Sequence, residues 1–312
     1  MTKNKPMRVV FGETLCDLAD TVPELVVLDA DVSSSTQTKL FGQQHPDRFY
    51  NFGIAEQNMV AAAAGMATCG LVPVVSTFAF LLALRTGDQV RSLIAYNDLN
   101  VKLAAGYAGL SDHADGASHQ SVCDLALARA LPNMTVLVPS DIETTRGAVH
   151  AMLAQKGPVY LRLSRAPVGS LHGGDASFEI GRARILRRGP DVTLAVCGTL
   201  LAQTLEAADV LAAEGVHAEV LEFPTLKPFD AETLLGSARR TGAVVTVEEH
   251  GVAGGLGGVV AETLGEAQPV PLARVGLRDT FCESGAYEAL LEKYGLSVAG
   301  IVAAANLRSA AV

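Results

Sequence analysis

Short apolar runs alternate with longer alanine-rich stretches along most of the chain. Five runs in the first half are rich in Val, Ile and Leu and are predicted to be buried strands: Leu25–Asp29, Leu71–Ser76, Asn100–Ala104, Thr135–Pro139 and Pro158–Leu161. Four stretches between them have a helical period: Ala55–Thr68, Phe78–Tyr96, Val122–Ala130 and Asp141–Gln155. Alternating strands and helices of this kind predict a parallel sheet with helices on both faces.

The second half repeats this alternation after a polar, glycine-containing break at Ser170–Ser177. Its predicted strands are Asp191–Cys197, Ala218–Leu221, Ala243–Val247 and Pro271–Val275. Its predicted helices are Leu200–Glu214, Ala231–Ala238, a helix that follows Gly251–Gly258 and reaches Leu264, and Ser284–Tyr294. We therefore predict an α/β protein with two tandem open α/β domains, residues 1–169 and 191–312, and a linker at 170–190. Such sheets bind ligands outside the carboxyl ends of their strands.

The composition narrows the class of protein. The chain has 312 residues, 49% of them hydrophobic, which is enough for two buried cores. Because only 5% of the residues are aromatic and Trp is absent, those cores must consist mainly of Ala, Val and Leu. A net charge of −9 without a run of Lys and Arg predicts no nucleic-acid partner and no binding to an acidic membrane surface.

Cysteine usage and the N-terminal residues predict a cytoplasmic protein. The five cysteines are scattered, with no CxxC pair and no His at metal-ligand spacing, which is typical of reduced thiols. The N-terminal residues lack the apolar stretch of a signal peptide. The most apolar run, Val72–Leu84, is interrupted by Pro73 and Ser76, so we predict no transmembrane helix. Because no Cys or His stands at metal-ligand spacing, we also predict no metal site.

A single carboxylate, that of Glu56, stands in an apolar stretch. Gly53 permits a turn, and Glu56 falls in the first turn of the predicted helix that follows. A first-turn acid commonly complements the helix dipole, and spacing alone favours this structural interpretation. The apolar neighbours Ile54, Met59 and Val60 support the alternative, because a lone acid among them tends to have a raised pKa and can hold or pass a proton.

Polar groups also collect in the loop Asp115–Gln120 and after a predicted strand. The Asp and Ser of the loop could cap the following helix, and His119 is either a structural hydrogen-bonding group or a catalyst. Arg162 and Arg165 place two cations at the end of a buried strand, where they suit a phosphate or carboxylate ligand. A salt bridge to the neighbouring domain would explain these cations equally well.

The glycine-rich stretch Gly251–Gly258 follows a strand and opens a helix, as a dinucleotide-binding loop does. Counted from Gly255, however, that motif needs Gly or Ala at the position of Val260. Close packing of the helix on the sheet is therefore the favoured interpretation.

Several of these strings resemble, in order and spacing, the pyrimidine-binding domain of transketolases. They are Asn51–Asn58 (NFGIAEQN), Ser76–Phe78 (STF), Asp88–Arg91 (DQVR), Asp115–Gln120 (DGASHQ) and Ala130–Pro139 (ALPNMTVLVP). In the second half, Val247–His250 (VEEH) and Gly254–Gly258 resemble the transketolase C-terminal domain. The resemblance covers essentially the whole chain, and it favours the functional interpretation of Glu56 and His119.

The resemblance implies thiamine diphosphate as the cofactor. Glu56 matches the carboxylate that hydrogen-bonds a ring nitrogen of the aminopyrimidine and favours the imino tautomer, whose nitrogen removes the thiazolium C2 proton to form the ylide. Phe78 matches an aromatic residue that packs on the pyrimidine, and Asp31 matches an acid near the thiazolium. His119 and Asp115 match residues that handle the hydroxyl groups of the donor ketose.

The implied ligands of the sugar phosphate are Arg165, Ser35 and Arg8. Three positions depart from the family pattern: Tyr107 replaces a second phosphate-side histidine, Leu81 replaces a second aromatic residue of the pyrimidine pocket, and Cys123 stands where an acid is usual. Formation of the ylide is expected to survive these changes, whereas the identity of the sugar stays open.

The implied activity is the transfer of a two-carbon ketol unit from a ketose phosphate to an aldose phosphate. A full-length transketolase also has a preceding domain, with a Gly-Asp-Gly motif, that binds Mg²⁺ and the diphosphate. This chain resembles the C-terminal subunit of a split transketolase. The resemblance thus implies an N-terminal partner subunit that holds Mg²⁺, a cofactor shared across the subunit interface, and a heterotetramer.

Three alternatives remain beside this activity. Deoxyxylulose-phosphate synthases share both motifs but typically end the domain on Tyr-Pro-Arg-Gly, where this chain has Leu163–Arg165 (LSR). The β subunits of 2-oxo-acid dehydrogenases share the GIAEQ string but usually lack DGxTHQ. A non-catalytic assembly subunit would not need to retain Glu56, Phe78 and His119 together.

Overall fold

The computed structural model describes residues 4–175 and 177–309. The outer ends of the two predicted domains, residues 1–3 and 310–312, and position 176 of the predicted linker lie outside the described residues. Two large sheets organise the chain, one of seven strands and one of five, together with a separate two-stranded pair.

We number the strands in chain order. The strands of the first half are β1 Lys5–Pro6, β2 Leu25–Asp29, β3 Phe49–Asn51, β4 Val72–Phe78, β5 Lys102–Gly106, β6 Thr135–Leu137, β7 Val159–Arg162 and β8 Pro167–Val168. Those of the second half are β9 Arg184–Arg187, β10 Val192–Val196, β11 Ala218–Glu222, β12 Thr225–Lys227, β13 Val244–Gly251 and β14 Leu272–Leu277.

The helices are numbered in the same way. Those of the first half are α1 Met7–Leu18, α2 Ser33–Thr36, α3 Lys39–Gln44, α4 Glu56–Thr68, α5 Gly87–Gln89, α6 Asp124–Ala130 and α7 Ile142–Ala154. Those of the second half are α8 Leu201–Ala213, α9 Ala231–Thr241, α10 Leu256–Ala267, α11 Tyr287–Lys293 and α12 Val298–Ser309. Short 3₁₀ helices span Pro46–Arg48, Gly116–Ser118 and Gly198–Leu200, and π-helical segments span Leu81–Arg85 and Val90–Ala95.

The first sheet has the strand order β12–β6–β7–β5–β4–β2–β3. All neighbours from β6 to β3 are parallel. The edge strand β12 comes from the second half of the chain and pairs antiparallel with β6, so that Thr225 lies opposite Leu137. The two halves therefore share a sheet as well as a covalent link.

Strand β2 shows why its sequence is an unbroken apolar run. Leu25 and Val27 belong to a core shared with α1 and α7, whereas Val26 and Leu28 belong to a core shared with α4. Because helices cover both faces of the parallel sheet, every residue of the strand is buried and no alternation is left.

The second sheet has the order β14–β13–β10–β11–β9, with β9 antiparallel at one edge. Helices α8 and α12 cover one face, and α9 and α10 cover the other. The core beneath α10 continues into the first domain, since Leu256 and Val260 belong to the same cluster as Leu125 and Val136. The two domains are thus packed through a continuous apolar core.

This architecture confirms the predicted fold class, two tandem α/β domains with mostly parallel sheets flanked by helices. The prediction of one helix over Phe78–Tyr96 is wrong, because Phe78 ends β4 and π-helical segments flank α5. The Thr86 amide bonds the Leu81 carbonyl, five residues back, and the Thr86 hydroxyl bonds the Leu82 carbonyl at 2.8 Å. The five-residue spacing of the backbone bond is that of a π-helical turn, and a hydroxyl bond of this kind bends a helix slightly.

The apolar pattern also missed α1, β3 and α12. Met7, Phe11 and Leu15 form the buried face of α1 at helical spacing, and this signal could have revealed the helix. The boundaries at residues 169 and 191 stay a prediction. Within the described residues, no helix has both the length and the apolarity to cross a bilayer.

Candidate active site

Five adjacent parallel strands of the first sheet, in the order β7–β5–β4–β2–β3, end at the same edge. Candidate residues lie at or just beyond these ends: Arg165 after β7, Tyr107 after β5, Phe78 in β4, Asp31 after β2 and Glu56 after β3. Parallel sheets bind ligands at this edge. The topology therefore gathers residues that are more than a hundred positions apart in the chain.

Glu56 is the first residue of α4, and its side chain is only 4% exposed. The turn before it depends on Asn51, whose Oδ1 accepts the Gly53 amide at 2.9 Å, and Gly53 has a φ of +68° that favours glycine. Arg85 lies against the carboxylate, with Nη1 3.1 Å from Oε2. The predicted setting of a lone acid among apolar residues is thus wrong in one respect, because a cation faces Glu56 from the π-helical segment.

Aromatic rings surround Phe78 at the end of β4. Its centroid lies 4.6 Å from that of Tyr107, 6.2 Å from that of His119 and 6.5 Å from that of Phe80. Phe80 also lies 5.1 Å from His119. Leu81, the predicted replacement for a pocket aromatic, is buried in the neighbouring π-helical segment. Sequence analysis missed Phe80, although its position two residues after Phe78 was visible.

The loop that carries Asp115 and His119 contains the 3₁₀ turn Gly116–Ser118. Asp115 is exposed, and the His119 ring is half-buried with Nδ1 2.9 Å from the Ser118 hydroxyl. The suggestion that the Asp or Ser of this loop caps a helix is wrong, since α6 begins only at Asp124 and has no side-chain cap.

Asp112 is a buried carboxylate that sequence analysis did not single out. It accepts a hydrogen bond from Arg165 Nη1 at 3.2 Å. Burial raises the pKa of Asp112 to about 7, with a further rise from Asp115, while Arg165 opposes the change. The site therefore contains a carboxyl group that is poised to exchange a proton near neutral pH.

Two arginines lie against the ring of Tyr107. The guanidinium carbon of Arg8 lies 5.4 Å and that of Arg165 5.2 Å from the ring centroid. Arg8 also donates a hydrogen bond to the Tyr107 hydroxyl. Arg8 comes from α1, the helix that the apolar pattern missed. Within the described residues the buried Nε of Arg8 has no partner, and the two guanidinium groups together form a cationic cluster that suits an anion.

Asp31 and Ser35 lie at the next strand end along the same edge. Asp31 is exposed, adopts a φ of +63° and accepts a hydrogen bond from Asn51 Nδ2 at 3.2 Å. Ser35 is half-buried in α2. Within residues 4–175 and 177–309, Ser35 makes no hydrogen bond to Arg8 or Arg165, so its predicted place beside the phosphate stays a prediction.

The two arginines at the end of β7 have different surroundings: Arg162 is the last residue of the strand, and Arg165 follows it. Arg162 is buried, with Nε 2.8 Å from Asp124 Oδ2 and Nη2 3.0 Å from the Glu249 carbonyl of the second domain. Its role is therefore structural, but its salt bridge is to Asp124 of the first domain and not to the neighbouring domain, as the alternative expected. Arg165 instead pairs with Asp112 and lies over the Tyr107 ring. Cys123, beside Asp124, is half-buried, and burial raises the pKa of its thiol.

Glu248 explains the glycine-rich stretch. Its carboxylate accepts the amides of Leu256 and Gly257, both at 2.7 Å, at the start of α10. A Cβ on Gly255 would overlap Glu248 Oε2. The glycines thus allow α10 to pack closely against β13, which is the structural role expected from the sequence. Among the described residues, no group of three or more His, Cys, Asp or Glu is placed to hold a metal ion.

Comparison with known proteins identifies these domains. The family model of the transketolase pyrimidine-binding domain matches residues 3–169, and that of the transketolase C-terminal domain matches residues 181–301. The chain belongs to the transketolase family. A protein of Methanocaldococcus jannaschii, named as a transketolase C-terminal section, is 42% identical over 94% of this chain and 92% of its own length. A Clostridium protein named 6-deoxy-6-sulfo-D-fructose transketolase subunit is 43% identical over 96% of this chain and 93% of its own length.

A solved transketolase structure matches the whole fold. It is described as a split-gene transketolase in an inactive β4 tetramer, and it superposes with a TM-score of 0.92 and 48% identity, covering 98% of each chain. This transketolase-family chain therefore corresponds to the C-terminal subunit type, with the pyrimidine-binding and C-terminal domains in one polypeptide.

Proposed function

We propose that this chain is the C-terminal subunit of a thiamine-diphosphate-dependent transketolase that transfers a two-carbon ketol unit from a ketose phosphate to an aldose phosphate. The observation that carries the proposal is the convergence of Glu56, Phe78, Tyr107 and Arg165 at one edge of the first sheet. This edge combines a buried carboxylate, an aromatic surface and a cationic cluster, and a transketolase needs all three.

The residues at this edge fit the aminopyrimidine end of thiamine diphosphate. A buried carboxylate suits a ring nitrogen that carries a proton, and an aromatic side chain suits a flat heteroaromatic ring. Glu56, Phe78 and Leu81 would hold this end of the cofactor, and Asp31 would lie on the side of the thiazolium. When bound, the cofactor supplies the nucleophilic carbon and the electron sink. Glu56 holds the proton at the ring nitrogen, which is the contribution of this chain to activation.

The cationic cluster fits the phosphate of the sugar. Arg8 and Arg165 bring two fixed positive charges to the Tyr107 ring, and charge-assisted bonds from guanidinium to phosphate are strong and directional. His119 and Asp115 lie in the loop beside them and would contact the sugar hydroxyls, while the Phe78 and Phe80 rings exclude water from that side.

The proposal includes an N-terminal partner subunit that binds Mg²⁺ and the diphosphate, in a cytoplasmic heterotetramer with a shared cofactor. Two relatives named as a C-terminal section and as a subunit support a divided enzyme. The split-gene structure described as an inactive β4 tetramer supports the expectation that this chain alone has no activity.

Reconstitution tests this proposal. The chain is purified alone and together with the product of a neighbouring reading frame that encodes a Gly-Asp-Gly motif. Both preparations are assayed with ketose phosphates, a 6-deoxy-6-sulfo ketose, and pyruvate with an aldose phosphate. We expect ketol transfer only from the mixture. Release of CO₂ from pyruvate without ketol transfer would favour the synthase or dehydrogenase alternative, and no turnover with any donor would favour a non-catalytic subunit.

A further inference from the structure

The loop that carries Asp115 and His119 is attached to the second domain by hydrogen bonds. The amide of Gly285 donates to the His113 carbonyl at 3.1 Å, and His113 Nδ1 lies 2.9 Å from the Gly285 carbonyl. At the other end of the loop, Gln120 Nε2 donates to the Glu283 carbonyl at 3.1 Å. Residues Glu283–Gly285 therefore contact both flanks of the loop.

Gly116, between these two flanks, packs directly against the same segment. It adopts a φ of +76°, and a Cβ at this position would overlap the Ser284 hydroxyl and lie 3.2 Å from the Ser284 amide. The 3₁₀ turn Gly116–Ser118 thus fits the surface of the second domain without space for a side chain. The contact fixes where the turn lies relative to Glu283–Gly285.

The segment Glu283–Gly285 is itself held in a fixed position. Immediately after it, Tyr287 begins α11 and donates its hydroxyl to Glu249 Oε2 at 2.6 Å, and the Thr199 hydroxyl donates to the same oxygen at 3.0 Å. The Tyr287 ring also lies 6.2 Å from the His113 ring. The support beneath the loop is therefore anchored in the core of the second domain.

We propose that the segment Glu283–Gly285 is a positioning element for the donor sugar: the second domain, which supplies none of the candidate site residues, sets the place of Asp115 and His119. The proposal rests on the function proposed above for these two residues. From the first domain, the loop is held by the Asp112–Arg165 pair and by the His119 ring, which lies 5.1 Å from the Phe80 ring, while the bond from the Gly116 amide to the Asp112 carbonyl, 3.2 Å, closes the turn itself. The contacts from the second domain hold Gly116 and both flanks, so they limit how far the turn can move.

A matched pair of variants tests the proposal. Gly285→Pro removes the amide that bonds the His113 carbonyl, whereas Gly285→Ala keeps it and adds a Cβ near Leu290, as proline also does. The first measurement is amide hydrogen exchange of residues 113–120 in the full chain, which needs no activity. We expect exchange about tenfold faster in Gly285→Pro and unchanged in Gly285→Ala.

The second measurement uses the assembled two-subunit complex. Because a misplacement of substrate-positioning groups by 1 Å can cost about 10²-fold, and the loop keeps its other contacts, we expect the KM for the donor ketose to rise about tenfold in Gly285→Pro. Hydrogen–deuterium exchange at C2 of the bound cofactor, which depends on Glu56, should stay within about twofold of the unmutated complex. Faster loop exchange with an unchanged donor KM would overturn the positioning role, and so would unchanged loop exchange.

A second pair keeps the test decisive if Gly285→Pro fails to fold. Gly116→Ala should raise the donor KM, both because alanine is strained at a φ of +76° and because its Cβ overlaps the Ser284 hydroxyl, and the added change Ser284→Gly should restore the part that is due to the overlap. Absence of any rescue overturns the proposed contact. If the unmutated complex shows no C2 exchange, the proposed function fails, whereas the amide-exchange result still decides whether the two domains are coupled.

Discussion

The guanidinium of Arg85 and the carboxylate of Glu56 form a salt bridge at the start of α4. Arg85 Nη1 lies 3.1 Å from Oε2 and 3.3 Å from Oε1, and the Arg85 side chain is 49% exposed while that of Glu56 is 4% exposed. Both oxygens of Glu56 therefore accept from one half-exposed partner. A ring nitrogen of the cofactor would have to share this carboxylate with Arg85, and the two would compete for its negative charge.

Arg85→Met should therefore tighten cofactor binding in the assembled complex. Half-exposed ion pairs contribute about 0–1 kcal/mol, so the gain in affinity should not exceed about fivefold. Isothermal titration of thiamine diphosphate with Mg²⁺ measures it. Arg91→Met is the matched control, because Arg91 is exposed in the next π-helical segment. Among the contacts described, its side chain donates a hydrogen bond only to the neighbouring Ser92 hydroxyl. Binding more than tenfold weaker in Arg85→Met would mean that Arg85 itself holds the cofactor.

Tyr107 should limit affinity for sugar phosphates. Its hydroxyl accepts from Arg8 and can offer phosphate only a neutral hydrogen bond, whereas a protonated histidine can donate a charge-assisted one. Tyr107 has a φ of +60°, a conformation that histidine tolerates better than most residues. We expect Tyr107→His to lower the KM for ordinary ketose phosphates.

Arg165→Ala is the counterpart of this change. It removes a charge-assisted donor and should raise the same KM about tenfold or more, because such bonds contribute about 1.5–3 kcal/mol. A donor without phosphate is the control substrate, since its KM should change little in either variant. If Tyr107→His leaves the KM of every donor and acceptor unchanged, Tyr107 lies outside the substrate channel.

His172 should make the stability of the fold depend on pH. Its side chain is buried between Asp141, 2.7 Å from Nδ1, and Glu222 of the second domain, 2.8 Å from Nε2. Burial alone lowers the pKa of His172, but the hydrogen bonds and charges of these two carboxylates outweigh it and raise the pKa to about 9. Since the folded pKa exceeds the unfolded value of about 6.5, the protonated form contributes up to about 3 kcal/mol, fully present below pH ~6.5. This contribution is lost as the pH rises through 9.

The measurement is the free energy of unfolding in urea at pH 6.5 and at pH 10 for the unmutated chain and for His172→Gln. Lys102, whose pKa burial lowers to about 7, costs stability below its unfolded pKa of about 10.4, and this cost falls as the pH rises. The comparison therefore uses the difference between the two proteins, in which Lys102 cancels. That difference should shrink at the higher pH. His217→Gln, at an exposed position, should show no such change. An equal difference at both pH values would contradict a protonated His172.

Arg162→Met should destabilise the chain by about 3–5 kcal/mol, because it removes the arginine that pairs with the fully buried carboxylate of Asp124 and leaves this charge bonded to the Tyr160 hydroxyl. The double change Asp124→Leu with Arg162→Met should lower the free energy of unfolding by less than Arg162→Met alone. Urea unfolding measures all three variants. A loss below about 1 kcal/mol for Arg162→Met would contradict a structural role for this pair.

The sequence predicted the parallel sheets because buried strands such as β2 are continuous apolar runs that carry their own signal. It predicted Glu56, Phe78 and His119 as candidates because they lie in short motifs beside strand ends. Arg85 could not be assigned to Glu56, since the two are 29 positions apart and Arg85 lies in a π-helical segment that no apolar period reveals. Similarly, Arg8 was connected to Tyr107 only through the family resemblance, because α1 was not recognised as a helix.

The contacts between the domains were also beyond the sequence pattern. The break at Ser170–Ser177 indicated a linker, yet His172 within it is buried between carboxylates of both domains. Strand β12 joins the sheet of the other domain, and it has only three residues, too few to show a strand pattern. Such features depend on tertiary packing, which local periodicity does not report.

The central claim is that Glu56 activates the cofactor, and Glu56→Gln tests it most directly. Glutamine is nearly isosteric and can still hydrogen-bond, but it cannot share the proton that the ring nitrogen needs, and loss of such assistance typically costs about 10²–10⁴ in rate. The measurement is hydrogen–deuterium exchange at C2 of thiamine diphosphate bound to the assembled complex, with circular dichroism and subunit assembly as checks of the fold. We predict that exchange slows by this factor while fold and assembly persist. Exchange as fast as in the unmutated complex would contradict the account.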